Sequence, residues 1–143
     1  MSGDVSGTSL SVIHSVRPAP LMLAAMLLAG CSSSPGSDVE QAVEDFGIAW
    51  EARDGAAVCA LLAPVTQREV ESTTGLACAK GVLELDVQPP GAVRDVRVFA
   101  TAAQVRTEAD TVFLSQYDGG WRVLAASCEP QGEQPYDCQL KGA

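Results

Sequence analysis

Five cysteines, one histidine and eighteen carboxylates are the side chains with which this 143-residue chain could do chemistry. His14 stands before every cysteine and ahead of an apolar run, Leu21 to Leu28. A Ser-His-Asp or Cys-His arrangement in the region that follows therefore has no histidine to use. Cys59, Cys78, Cys128 and Cys138 form no C-x-x-C pair and have no histidine near them, which disfavours zinc. No metal site and no cofactor is expected. Acid/base chemistry of the isomerase kind needs a carboxylate base and a Tyr or protonated Asp facing one pocket. The candidate carboxylates are Glu84, Asp86, Asp95, Glu108 and Asp110, and the tyrosines are Tyr117 and Tyr136. Asp95 with Arg97, and Arg106 with Glu108, fall opposite aliphatic residues in alternating segments, the pattern of a solvated face with cross-strand charge pairs. The chain has no glycine-rich phosphate loop and no P-loop lysine. No residue is assigned a catalytic role.

Cys31 has different surroundings. Leu21 to Leu28, LMLAAMLL, is far short of the roughly 20 residues that cross a bilayer. It suits the apolar core of a secretory signal, typically about 7–15 residues, and the small Ala29 and Gly30 follow as a peptidase requires. Leu28-Ala29-Gly30-Cys31 resembles the lipobox of bacterial lipoproteins. The resemblance implies a signal peptide over residues 1–30, with Arg17 as its basic residue, and a diacylglyceryl group on Cys31. Cys31 would then open the mature chain, followed by a flexible tether, SSSPGS, to residue 37. The expected location is the outer face of the cytoplasmic membrane.

Composition bounds the partners. Cleavage before Cys31 removes one acid, Asp4, and one base, Arg17, so the net charge stays at −9. That balance disfavours nucleic acid, whose affinity comes from neutralised phosphates. It also disfavours electrostatic adhesion to anionic lipid, leaving the anchor to acyl chains worth about 0.8 kcal/mol per buried methylene. Arginine outnumbers lysine seven to two, a bias of high-GC genomes. Cysteines of an exported domain meet oxidising conditions, so Cys59, Cys78, Cys128 and Cys138 read as two disulfides with three possible pairings. Cys59 with Cys78 and Cys128 with Cys138 are favoured because each pair stays within one local module, and each bond is worth roughly 3 kcal/mol.

The elements that must position these groups follow from periodicity. Ser37 and Glu40 have capping-box spacing, and Val39, Ala42, Val43, Phe46, Ala49 and Trp50 follow at helical spacing. Asp54 predicts a cap for a short helix over 56–62, stopped at Pro64, and Thr66 with Glu69 predicts a third helix. Ala77 to Leu85 reads as a helical turn and then an extended piece. Beyond Gln88-Pro89-Pro90-Gly91 the period becomes two. Strands are expected around Val96 and Val98, around Ala103 to Thr107, over Thr111 to Tyr117 and over Trp121 to Ser127. Asp118-Gly119-Gly120 is the hairpin turn between the last two. The tail EPQGEQPYDCQLKGA carries too much Pro, Gly and Gln for a strand except near its cysteine. Helices first and hairpin-linked strands afterwards give an α+β domain over 38–143, with about three helices packed on a curved antiparallel sheet of about four strands.

Two stretches, AWEARDGAAVCALLAP and FLSQYDGGWRVLAAS, are similar to the cystatin-like or NTF2-like (SnoaL-type) cone. More closely, the exported part resembles small lipoproteins of unknown function from high-GC Gram-positive bacteria. The superfamily includes ketosteroid isomerase, scytalone dehydratase and limonene-epoxide hydrolase beside domains that only bind, so the fold does not decide the function. Trp121, Val96, Val98 and Val105 are the residues expected to face a ligand in such a cone. The expected function is a membrane-anchored, non-enzymatic binding or interaction domain for a small apolar ligand or an envelope protein. A cone-fold enzyme with carboxylate chemistry is the alternative, and monomer or homodimer stays open.

Overall fold

The first helix begins where a serine and a proline meet. Ser34 is extended and its Oγ accepts a hydrogen bond from the Ser37 amide at 3.3 Å, while Pro35 supplies the first helical residue of α1 (Pro35–Glu51). The cap is thus Ser34 and not the predicted Ser37. Proline's fixed φ and missing N–H suit the first helical position, so the helix reaches back into the segment read as tether. These coordinates come from a computed structural model, which describes Gly3 and residues 33–142. The apolar run, Leu28, Ala29, Gly30 and Cys31 lie outside the described residues.

α1 buries Val39, Val43, Phe46, Ala49 and Trp50 along one stripe, as its spacing predicts. Phe46 stacks on Trp50 with ring centroids 5.9 Å apart, and the Trp50 indole N–H donates to the Val87 carbonyl at 2.7 Å. Asp54 caps α2 (Gly55–Leu61) through the Ala57 amide. α3 (Pro64–Thr74) again starts on a proline, so Thr66 is not its cap. Thr66 is instead buried, with its hydroxyl donating to the Leu124 carbonyl at 2.9 Å. α4 (Cys78–Gly81) and a single 3-10 turn, Val82–Glu84, complete the helical half.

Five strands follow: β1 (Val93–Phe99), β2 (Ala102–Thr107), β3 (Thr111–Tyr117), β4 (Gly120–Gln131) and β5 (Gln134–Lys141). They form one antiparallel meander in chain order, β1-β2-β3-β4-β5. The domain is therefore α+β, with four α-helices among the described residues and one strand more than the sequence pattern predicts. The extra strand is the Pro- and Gln-rich tail. It lies at the sheet edge, where Pro135 has no inner ladder bond to spoil, and Cys138 stands directly opposite Cys128. The register shift between Glu129 and Gln131 falls at Pro130.

A bulge between Val93 and Asp95 places Val93, Val96 and Val98 opposite Thr107, Val105 and Ala103 on the face that α1 covers. Both favoured disulfides are present. Cys128–Cys138 ties β4 to β5, and Cys59–Cys78 ties α2 to α4. Residues 33–142 belong to one compact unit, and no described helix is long and apolar enough to cross a membrane.

Candidate functional site

The residues expected to face a ligand are packing residues in this structure. Val105 is fully buried and Trp121 nearly so, both inside the core cluster with Phe46, Trp50, Leu114 and Leu140. Val96 and Val98 are half-buried and pack against the same cluster. The face that was to line a cone is thus filled by the apolar stripe of α1. The four domain cysteines are spent on the two disulfides.

Of the carboxylates named as possible bases, Asp95, Glu108 and Asp110 are engaged by scaffold groups, and Glu108 and Asp110 line one open groove of about 320 Å³ together with Arg94 and Arg106. Asp95 accepts from Arg97 Nε at 3.0 Å on the same strand, and Glu108 pairs with Arg94, both pairs well exposed. Glu84 and Asp86 are exposed beside the 3-10 turn. Asp110 closes the β2–β3 turn. Its Oδ1 accepts from the Thr107 hydroxyl at 2.8 Å and its Oδ2 from the Ser127 amide, where the backbone turns to a positive φ of 51°. Oδ2 of Asp110 thus holds Ser127 of β4 in a conformation that is unfavourable for an L-residue, while Oδ1 ties the carboxylate to Thr107 at the end of β2. Tyr136 accepts from Gln104 Nε2 at 3.0 Å and packs edge-on against Phe113. Tyr117 is exposed beside the β3–β4 turn. Among the described residues neither tyrosine hydrogen-bonds a carboxylate, and no cluster of three metal-ligating side chains occurs.

An apolar concave surface lies elsewhere, between α1 and α2. Ile48, Ala49, Ala52, Ala57, Ala60 and Leu61 line an open groove of about 440 Å³ rimmed by Asp45 and Asp54. Ile48 is 64% exposed, the largest exposure of any large hydrophobic residue in the described chain. Asp45 and Leu61 also line a second shallow groove of about 290 Å³ that continues to Trp121, Arg122 and the β3–β4 turn. The two form one shelf along the outside of α1. Alanines give it its shape, because methyl groups at 49, 52, 57 and 60 leave room that larger side chains would fill. Sequence reasoning missed this shelf. Its signal was Ile48, which falls on the wet face of α1 with Gln41 and Asp45, off the buried stripe. The chain matches no protein-family model, no curated protein and no solved structure.

Proposed function

We propose that this chain is an exported lipoprotein, anchored by acylation of Cys31, whose cone-like α+β domain binds without catalysing a reaction. Its partner is an envelope protein that offers an apolar segment flanked by basic residues. The observation that carries the reading is the shelf centred on Ile48. Its floor is apolar and alanine-shaped, and the carboxylates of Asp38, Asp45 and Asp54 stand around it against one cation, Arg122. An open, shallow shelf suits a side chain or helix laid on its surface better than an enclosed small molecule, which ordinarily loses most of its surface on binding. The negative rim and a net charge of −9 select a basic flank by complementarity.

A photo-crosslinking residue placed at position 48 or at exposed position 73, in cells making the full chain, tests this. One discrete protein adduct from position 48, absent from position 73 and lost on Asp45→Lys with Asp54→Lys, is the expected result. Equal, diffuse labelling from both positions overturns the reading. Native mass spectrometry of the isolated protein tests the same point from the other side, because a bound small molecule that leaves on denaturation contradicts a protein partner.

A further inference from the structure

The start of α1 and two exposed aromatic residues occupy the same end of the domain. Asp38 and Gln41, in the first turns of α1, line one groove together with Gln116, Gly119 and Gly120 at the β3–β4 turn. The Gln116 amide donates to the Thr101 carbonyl at 2.8 Å, which joins that turn to the β1–β2 turn. The far end of α1 lies at the opposite end of the sheet, where Trp50 reaches Val87 and Gly47 lies against Pro90.

Phe99 closes β1 and Tyr117 closes β3, and they are 59% and 40% exposed. Phe99, Ala102 and Ser115 are directly opposite one another across three strands, and Tyr117 lies two residues beyond Ser115. Both rings therefore project from one face at one end of the sheet.

We propose that this end, with Phe99 and Tyr117, rests on the lipid surface and fixes the orientation of the domain on the membrane. The inference builds on the acyl anchor at Cys31. Only four Cα steps separate Cys31 from Pro35, a reach of at most about 14 Å when fully extended. An acylated Cys31 therefore keeps the first turn of α1 close to the headgroups. Phe99 and Tyr117 are exposed apolar groups at that end of the domain, and aromatic rings favour that depth. Ile48 is thirteen residues along α1 from Pro35, about 20 Å of helix rise, so the part of the shelf around Ile48 is held away from the lipid and free for a partner.

The test uses the full chain, processed in bacterial membranes and reconstituted in vesicles of phosphatidylcholine brominated in its acyl chains. Phe99→Trp and Tyr117→Trp each add one fluorophore, Ile48→Trp is the control, and the emission of buried Trp50 and Trp121 is subtracted with the unsubstituted protein. The expected result is a blue shift and quenching at positions 99 and 117 and neither at 48. Acylated, vesicle-bound protein with unquenched tryptophan at 99 and 117 overturns the orientation and leaves the anchor standing. Protein whose mass shows no acyl group at Cys31, and which fails to float with vesicles, overturns the anchor and the orientation together.

Discussion

Gly55 shows how one missing methyl group decides the packing of two helices. A Cβ at this position would lie 1.9 Å from the Ala79 carbonyl oxygen and 3.2 Å from Leu83 Cδ1. Backbone cannot yield as a flexible side chain can, and Cys59–Cys78 prevents α2 and α4 from separating freely. Gly55→Ala is expected to destabilise the domain by about 2 kcal/mol or more through this overpacking. A thermal melt that matches the unsubstituted protein would show the close approach to be tolerant. Trp50 poses the complementary case, a large buried side chain with one polar atom to satisfy. Trp50→Phe leaves the Val87 carbonyl without its donor and a gap beside Phe46, and is expected to cost about 1–3 kcal/mol. Urea denaturation measures it, and an unchanged midpoint would mean that the chain around Val87 reaches solvent and recovers the bond. Ala100 bears strain of the opposite sign. It holds a φ of 53° in the two-residue β1–β2 turn, a conformation glycine adopts without penalty. Ala100→Gly is expected to raise the melting temperature modestly, by the equivalent of about 0.5–1 kcal/mol. A lower melting temperature would mean that the added freedom of the unfolded chain outweighs the relief.

At the scale of elements, periodicity was legible and boundaries were not. The buried stripe of α1, the Asp54 cap, four of the strands and the β3–β4 hairpin are all readable from residue spacing. In that hairpin Gly120 takes a φ of 103° that other residues avoid. The starts of α1 and α3 differ from the expected ones because prolines 35 and 64 set them, while Ser37 and Thr66 offer a more familiar cap spacing. β5 was hidden for a related reason. Pro135 argues against an inner strand, but at the sheet edge it is tolerated and a disulfide holds the strand in register, while Pro130 lies in β4 beyond its last pairing with β3 at Cys128. Bulges left no sequence signal at all, so the shared face of Val93 and Val96 is visible only in the register. The importance of the covalent tie is testable. Replacing Cys128 and Cys138 together by serine is expected to cost about 2–4 kcal/mol and to speed hydrogen exchange in Gln134–Lys141 first. Uniform protection in β5 after the double replacement would mean that its ladder alone keeps the edge in place.

For the whole molecule, the distribution of the core predicts how it comes apart. Helix residues Val39, Val43, Phe46 and Val58 share one buried cluster with strand residues Val105, Val112, Leu114 and Leu140. The Ala63 amide donates to the Val123 carbonyl at 2.8 Å, stitching the link between α2 and α3 to β4. Neither half can bury its apolar face without the other, since α1 is the cover of the sheet and the sheet is the floor of α1. A chain beginning at Ser32 is therefore expected to fold when oxidised and to unfold in one transition, with tryptophan fluorescence and far-ultraviolet dichroism giving the same midpoint. Reduction should lower that midpoint by the combined contribution of two cross-links, roughly 3 kcal/mol each, while the transition stays single. Two separated transitions in the oxidised protein would mean that the helical half, closed by Cys59–Cys78, holds together without the sheet. In that case the shelf between α1 and α2 would survive loss of the strands, and its partner could be captured by the helical half alone.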